Sequence, residues 1–577
     1  MLEASAFTGA LNELVKRRMA LKDDRRAGGL RVAHDRIREL VTGALGGAER
    51  RGLHARIAET LERLRGLEGE DIVRIAMHYD GAGNAARISP EHLRLVHTLA
   101  ARQSRKEGSF GAAETYVAGA LASLGARAFE THRADWLTLA TQLMELRYLN
   151  GRAPEAERTF EGMRPHLDGP HEIARVFRAR VMGITHGGDH VSALGAGIEG
   201  LRLLGLDAPR TVGMPQVLTQ MVRTRLAMRG RSDRALSAMR TMHDARTLAA
   251  LEIIAASLPP AITVDSNFLS YYALLGLRLS LEHGRTEQFP VFVAMLGMLL
   301  AHGLGDFREG ERFCDLGLTL ARREPHADVR GFVALIRFFV IPWVHDPRTA
   351  VDAERAHADD AADLGDVLFA GYSRGVALTL LSTCARDLAE QWALLGRYQS
   401  FLMRVGDAHS VYEIEGLERL LRCLGRADGA DEADEADEAD FARKLEAHID
   451  PIPFSYYRTC RLKALVLLER WDDALALLAR HPQAIVSAGQ IWELDFMLFA
   501  ALAQARAPGG SRSRAALTLW RLERRAAKRA QGGPRWFDLY ATFAAAERAR
   551  LLGRTTAARQ GYERARRVAD AIGHGLL

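Results

Sequence analysis

One structural unit, a pair of helices joined by a short turn, returns along this chain. In the clearest copy an apolar helix face covers residues 462–466, the chain turns at 469–470, and a second apolar helix starts at Trp471. A turn residue, a polar helix start and a small residue before an aromatic or leucine return at 108–121, 151–160, 305–314 and 553–565. A lone helical hairpin cannot bury its apolar face, so such units stack on neighbours. The pattern predicts an α-solenoid of degenerate helical hairpins.

Composition supports an all-α fold. The chain has 577 residues, more than the ~250–300 that one core usually holds, which favours several domains or a repeat array. Hydrophobic residues make up 48% and charged residues 26%, which are globular values. The 17 prolines are few, and no series of alternating strands with hairpin turns is evident.

The cysteines and the apolar segments indicate a cytoplasmic protein. Cys314, Cys384, Cys423 and Cys460 are far apart and never form a CxxC pair, which argues against a disulfide framework or a structural zinc site. The N-terminus lacks a basic segment followed by an apolar stretch, so no signal peptide is expected. The longest uncharged apolar runs are shorter than the ~20 residues of a membrane span, so no membrane partner is expected.

The net charge of +6 comes from 78 basic and 72 acidic residues and is modest for this length. Basic residues concentrate at 512–535, where their three-to-four spacing is typical of the solvated face of one helix. A nucleic-acid patch is the alternative interpretation. Because few aromatic residues interleave there, a nucleic-acid partner is not expected.

Four segments are predicted. Residues 1–65 are interpreted as the C-terminal part of a winged-helix domain: a helix at 7–19, a polar turn at 23–29, a short strand at 30–33 and a helix from His34. Helical repeats are predicted at 66–426 and again at 441–577, where the array looks truncated. Between them, residues 427–440 contain a DEA triplet three times and are predicted to form an acidic, solvated loop. An acidic docking tail is the alternative there.

Several short segments, taken in order, carry a family resemblance. They are 33–39 (AHDRIRE), 53–58 (LHARIA), 75–79 (IAMHY), 281–284 (LEHG), 365–366 (GD) with 369–373 (FAGYS), 546–550 (AERAR), 552–554 (LGR) and 562–565 (YERA). The chain resembles the tetratricopeptide-like middle region of bacterial multidomain signalling ATPases. In that family an AAA-like nucleotide-binding domain precedes the helices, and serine/threonine kinase, GAF and histidine-kinase modules often flank them. The chain departs from the family after Gly284. Family members have Asn and Ser at the next two positions, whereas this chain has Arg285 and Thr286.

The resemblance implies a regulatory segment whose partners are proteins, including an ATPase or kinase module in cis or in trans. ATP, ADP and magnesium would belong to those modules, and no cofactor or metal is expected in this chain. The pair His34 and Asp35 resembles the His-Asp of winged-helix domains in signalling NTPases, where the histidine approaches the β-phosphate of ADP. An imidazole suits that sensor role because it donates to phosphate and titrates near neutral pH. In the alternative interpretation Asp35 caps a helix and His34 packs on the wing.

Three other patterns bear on chemistry. Gly371 to Gly375 fits GxSxG, but a catalytic Ser373 needs a strand before it, and the surroundings predict helix. His186 and His190 are four apart, yet two glycines between them favour a turn over a metal-binding helix face. No GxxxxGK[ST] phosphate loop occurs anywhere. No catalytic residue is therefore assigned.

These observations predict a non-catalytic regulatory and scaffolding segment that mediates protein–protein interaction and signal sensing. Two alternatives remain open: the sensor part of an ATPase-type transcriptional regulator, and a hydrolase that uses Ser373. The aromatic residues at 268–272 and 338–343 are interpreted as hairpin core, with a peptide-binding groove as the alternative.

Overall fold

The computed structural model describes residues 4–23, 29–67, 69, 71–324, 327–363, 367–406, 408–425, 432–448, 450–487, 489–531 and 533–575. These residues form 29 α-helices and two short strands, which confirms the predicted all-α fold. The chain divides into two compact units. The first comprises Met1–Glu107 and Gly111–Leu139, and the second comprises Gly108–Phe110 and Ala140–Leu577.

The N-terminal elements of the first unit follow the predicted order. They are α1 (Ala4–Lys16), β1 (Ala20–Asp23), β2 (Gly29–Val32), α2 (Asp35–Ala44) and α3 (Gly47–Arg65). β1 and β2 pair antiparallel, with Ala20 opposite Val32. The predicted turn at 23–29 lies mostly outside the described residues. The helix, hairpin and helix agree with the prediction for 1–65, and their assignment to a winged-helix domain stays a prediction.

The rest of the first unit consists of helices, which are α4 (Asp71–Ala82), α5 (Pro90–Lys106), α6 (Phe110–Ala122) and α7 (Ala128–Thr131). α8 (Arg133–Leu149) follows them and continues into the second unit. α3 packs against α4, and the Tyr79 hydroxyl donates to Glu62 Oε2 at 2.5 Å.

The second unit contains the remaining helices. They are α9 (Ala153–Met163), α10 (Pro170–His186), α11 (His190–Leu203), α12 (Met214–Met228), α13 (Asp233–Ser237), α14 (Ala245–Val264), α15 (Ser266–His283), α16 (Phe289–Leu304), α17 (Phe307–Ala321), α18 (Ala327–Phe338), α19 (Pro347–Asp363), α20 (Val367–Cys384), α21 (Leu388–Val405), α22 (Ala408–Gly425), α23 (Glu432–Glu446), α24 (Pro451–Leu467), α25 (Trp471–Arg480), α26 (Trp492–Arg506), α27 (Arg512–Ala530), α28 (Trp536–Leu551) and α29 (Thr555–Ile572).

The turn residues that define the repeated unit share one backbone conformation. Each has a positive φ: Gly108 at 74°, Gly151 at 72°, Gly188 at 83°, Gly305 at 74° and Gly553 at 72°. Glycine adopts this left-handed region without the steric cost of a Cβ. In the copy near residue 470 the same position holds Glu469, with φ 59°. The turns predicted at these positions are therefore confirmed, and one of them places a non-glycine residue in a strained conformation. The turn predicted near residue 396 is wrong, because Gly396 lies inside the helix at Leu388–Val405.

Small residues bring the helices of one hairpin close together. A Cβ added at Gly297 of α16 would lie 2.4 Å from the Gly310 carbonyl oxygen of α17. At Gly317 an added Cβ would lie 2.9 Å from the Pro290 carbonyl oxygen. Glycine at these positions allows the two backbones to approach within contact distance.

Helices far apart in sequence also meet within the second unit. The Trp343 indole donates to the Gly489 carbonyl oxygen at 2.8 Å, and its ring stacks on Phe537 with centroids 5.7 Å apart. Near the C-terminus, His574 Nε2 lies 2.8 Å from the Thr383 carbonyl oxygen. In a one-dimensional solenoid each repeat contacts only its neighbours. These contacts join hairpins that are not neighbours along the chain, and the solenoid arrangement stays a prediction.

The acidic segment differs from the prediction, because its described part is a helix and not a loop. α23 covers 432–446, while 427–431 lie outside the described residues. Arg419 Nη1 lies 2.8 Å from Asp437 Oδ2 and 3.2 Å from Glu438 Oε2, and the Tyr457 hydroxyl donates to Glu438 Oε1 at 2.8 Å. Alanines between the acids favour helix, and partners on α22 and α24 compensate the negative charge.

Among the described residues, one helix is long and apolar enough to cross a membrane, namely α14. Its apolar window is 67% buried inside the fold, as in the core helix of a globular protein. Glu252 interrupts the apolar residues of α14, so this helix contains no long uncharged run. All four cysteines are unpaired thiols, and three of them are buried.

Candidate functional site

His34 lies at the start of α2 and is exposed. It has an extended backbone (φ −146°), and its Nδ1 accepts a hydrogen bond from the Arg36 backbone N–H at 3.3 Å. The histidine, and not Asp35, thus occupies the capping position that the alternative interpretation gave to the aspartate. The Asp35 side chain lies outside the described residues. The nucleotide-sensing role of this pair stays a prediction.

Ser373 lies within α20 and is 1% exposed. The glycines around it make room for neighbouring helices: a Cβ at Gly375 would lie 3.3 Å from Glu413 Oε2 of α22. The Ser373 hydroxyl hydrogen-bonds the buried Glu354 carboxyl, whose pKa burial raises to about 8. A nucleophile elbow places its serine on a strand-to-helix turn, whereas this serine is in a helix. The neighbouring residues 365–366 lie outside the described part of the chain.

His186 and His190 flank a turn, as predicted. α10 ends at His186, Gly188 has φ 83°, and α11 starts at His190. His190 Nδ1 hydrogen-bonds the Thr263 hydroxyl of α14. Within the described ranges, no group of three or more His, Cys, Asp or Glu side chains is arranged to hold a metal ion.

His190 belongs to a buried histidine cluster that also contains His409, Glu413 and Asp450. His409 Nδ1 lies 2.5 Å from Asp450 Oδ2, and its Nε2 lies 3.3 Å from Glu413 Oε1. The Asp450 side chain is fully buried, and His190 Nδ1 lies 4.0 Å from it. Although burial opposes charge on His409, the carboxylates of Glu413 and Asp450 hold its pKa well above the usual value. Burial disfavours the Asp450 carboxylate as well, but His409 lowers its pKa to about 2.

The cluster faces a cavity of about 520 Å³, its open mouth included, where the ends of several helices meet. Its wall is mostly apolar and is formed by Thr185, His190, Pro259, Ile262, Thr263, Leu335, Phe339, Tyr372, Val376, His409, Ile452 and Gln490. Phe339, one of the aromatic residues interpreted as hairpin core, also lines this cavity, as does Tyr372. His409 lines the cavity, and its ion-pair partner Asp450 lies behind it, outside the lining.

Residues 512–530 of the basic segment form α27, as the spacing predicts. Arg514, Arg521, Arg524 and Lys528 lie on its exposed face. The Arg524 guanidinium lies 5.0 Å from the ring centroid of Trp520. An exposed basic face is common to the solvated-face interpretation and to its nucleic-acid alternative, and both stay predictions.

A surface that the sequence analysis did not identify lies on α12. One face of this helix packs on α15 through Val217, Gln220 and Thr224, which are all buried. The Thr224 hydroxyl donates to the Leu274 carbonyl oxygen at 3.2 Å, and Arg278 Nε donates to Gln220 Oε1 at 3.3 Å. These contacts fix which side of α12 faces outward.

The outward side carries an apolar row, which we call the α12 stripe. Its members and their exposed fractions are Met214 (55%), Leu218 (58%), Val222 (58%) and Leu226 (64%). They are spaced four residues apart, so they form one ridge along the helix. The ridge runs for about 18 Å at 1.5 Å per residue. Scattered exposed leucines are common, whereas a continuous row of this length is typical of an interaction surface.

The charges beside the α12 stripe have one sign. Arg223, Arg225 and Arg229 are exposed, and no Asp or Glu occurs between Ala208 and Ser232. Among the described residues no carboxylate forms an ion pair with these three side chains. The surface is therefore apolar along its ridge and positive at its flanks.

The sequence contained a signal for this surface. α12 has apolar residues at 217 and 221 as well as in the stripe, more than one packed face needs. Periodicity alone does not tell which of two apolar faces meets the core, because α15 is about 50 residues further along the chain.

Comparison with known proteins adds no family. The chain matches no family model. It also matches no curated protein.

Proposed function

We propose that this chain is a non-catalytic regulatory module that docks a partner protein on the α12 stripe. The observation that carries the proposal is the row of four outward-facing apolar side chains with arginines alone beside it. Covering a half-exposed leucine or valine contributes about 1 kcal/mol each. Four such residues supply the central contact of a helix-sized interface.

The proposed occupant is an amphipathic helix with an apolar face and acidic flanks. A ridge spaced by four residues fits the groove between such rows on a second helix. The guanidiniums of Arg223, Arg225 and Arg229 would meet the acidic flanks, which directs the orientation and speeds association. A second copy of this chain is a poorer partner, because pairing α12 with itself would bring the arginines of both copies together.

The resemblance noted in the sequence suggests where such a module works. In signalling ATPases of that class the helical region regulates an attached ATPase or kinase, and we propose the same regulatory and sensing role for this chain. Under this proposal the acidic helix belongs to such a module or to a protein that recruits it. His34 and Asp35 would then report the nucleotide state of the ATPase, and no residue of this chain would be catalytic.

The test is direct binding of a designed helical peptide to the full chain. The peptide carries leucines on one face and glutamates on both flanks, and binding is followed by fluorescence anisotropy. Replacing Leu218 and Val222 together by serine should weaken binding at least tenfold, since about 2 kcal/mol of apolar contact is lost. Leu552→Ser is the matched control, because Leu552 is 52% exposed but lies on another helix end. That variant should bind like the parent.

Two further arms assign the charge and the partner class. A peptide with lysines in place of the glutamates should bind at least tenfold more weakly. The chain should not bind to vesicles that contain phosphatidylserine. The proposal is overturned if the acidic peptide does not bind, or if the Leu218/Val222 double variant binds it as tightly as Leu552→Ser does. It is also overturned if the chain binds the vesicles but not the peptide.

A further inference from the structure

A second surface, independent of the α12 stripe, lies where α19, α20 and α21 meet. It is an open cavity of about 740 Å³, which we call the arginine groove. Its floor is apolar and contains Val351, Leu381 and Leu394, which are buried. The rim is charged.

The rim combines residues from two helices. Arg348, Asp352 and Arg355 are at positions i, i+4 and i+7 of α19, which places them on one face. Glu390 and Arg397 of α21 lie across the groove. Three guanidiniums and two carboxylates line the groove. Just outside it Asp359 contacts both Arg397 and Arg374, so these four arginines and three carboxylates leave one positive charge in excess.

The arginines differ in how firmly they are held. Arg348 donates to both carboxylate oxygens of Glu390, and its Nη1 also donates to the Cys384 carbonyl oxygen at 3.0 Å. Its position is therefore fixed, and it serves as a wall of the groove. The same ion pair neutralises the charge of Glu390.

Arg355 and Arg397 are engaged more loosely. Arg355 Nη1 lies 3.7 Å from Asp352 Oδ1, and Arg397 Nη2 lies 3.5 Å from Asp359 Oδ2. Both distances are too long for good hydrogen bonds. The two side chains are 40% and 54% exposed. Each guanidinium has five N–H donors, so both retain donors for a ligand.

We propose that the arginine groove binds a small organic anion. Its carboxylate or phosphate group would be held by Arg355 and Arg397, and its apolar body would lie on Val351, Leu381 and Leu394. A planar guanidinium can give two parallel hydrogen bonds to either kind of anion. The apolar floor distinguishes this ligand from a bare inorganic ion.

The experiment measures binding of phenyl phosphate, benzoate and neutral benzamide to the full chain by isothermal titration calorimetry at low salt. At least one of the two anions should bind, and the tighter one identifies the anionic group that the groove prefers. Benzamide should bind at least tenfold more weakly, because it lacks the charge that the guanidiniums recognise. Equal binding of benzamide, or binding of neither anion, would overturn the proposal.

Variants locate the site. Arg397→Gln should weaken anion binding about tenfold, and Arg397→Lys should give an intermediate loss because lysine keeps the charge without the fork of donors. Arg404→Gln is the matched control: Arg404 is exposed on the same helix but does not line the groove. If R404Q and R397Q weaken binding equally, the effect is general electrostatics and the proposed site is wrong. Circular dichroism of each variant checks that the helices are intact.

Discussion

The ion pair of His409 and Asp450 offers a sharp test of the buried histidine cluster. The change is Asp450→Asn, which removes the charge but keeps the shape of the side chain. Asp450 Oδ1 also accepts from the Ile452 backbone N–H at 3.0 Å, at the start of α24. The amide oxygen of asparagine can keep this cap, so the variant isolates the loss of the charged contact to His409.

The expected cost follows from burial. Breaking one partner of a buried ion pair costs about 3–5 kcal/mol, because the remaining charge is left without compensation. Glu413 still faces His409 in the variant, at 3.3 Å from Nε2. The loss should therefore lie at the lower end, about 3 kcal/mol.

The pH dependence has a definite sign. The folded pKa of His409 lies well above its ordinary value of 6.5, so its contribution to stability is full below 6.5. It is lost as pH rises through the folded pKa. The folded pKa of Asp450 is about 2 against 3.8, so its contribution is present above 3.8 and lost as pH falls towards 2. The difference in unfolding free energy between the parent and Asp450→Asn should be largest between pH 3.8 and pH 6.5. It should become smaller at alkaline pH, where His409 loses its proton.

Amide hydrogen exchange is the suitable assay, because the chain has two units and need not unfold in one step. Peptides from α22 and α24 report the local free energy of opening, measured from about pH 5 to pH 10. Asp387→Asn is the control: Asp387 caps α21 at an exposed site by accepting from the Glu390 N–H at 2.8 Å. It should leave α22 and α24 unchanged. A loss below about 1 kcal/mol for Asp450→Asn, or a difference that does not vary with pH, would refute the ion-pair argument.

Three other substitutions test local features. Glu469→Gly should stabilise the chain by about 0.5–1 kcal/mol, because glycine relieves the left-handed strain at an exposed turn; a raised melting temperature would confirm it, and a lowered one would contradict it. Gly297→Ala should destabilise by about 1–3 kcal/mol because the added Cβ would meet a backbone oxygen at 2.4 Å. Gly303→Ala on the same helix has open space and should not destabilise in the same thermal scan. Glu354→Gln should remove the fall in stability expected for the parent as pH rises from 4.5 to about 8, since only the folded carboxyl stays protonated there; amide hydrogen exchange of α19 peptides at both ends of that range measures it.

Features set by a few neighbouring residues were predictable from the sequence. Gly151, Gly188, Gly305 and Gly553 were identified as turns, and each has the left-handed backbone that favours glycine. The strand near 30–33 and the helix after His34 were also predicted, within a residue or two. These predictions are confirmed because the backbone preference of a turn or a cap is local.

Features that depend on distant partners were not predictable. The acidic segment was expected to be a loop, but Arg419 and Tyr457 provide partners for Glu438 and the described part is helical. The contact of Trp343 with Gly489 joins residues 146 positions apart. The same limit explains why the α12 stripe and the arginine groove were missed. Each depends on which face of a helix its neighbours cover, and a single sequence does not specify that.

A series of packed helices connects the α12 stripe to the buried histidine cluster. α12 packs on α15, α15 packs on α14, and Thr263 of α14 hydrogen-bonds His190. Continuity is not coupling, because a partner shifts the cluster only if it binds the two charge states of His409 with different affinity. Linkage then makes the effect reciprocal: a partner that prefers protonated His409 must raise the pKa of His409 when it binds. Such coupling would make the affinity of the α12 stripe for its partner depend on pH.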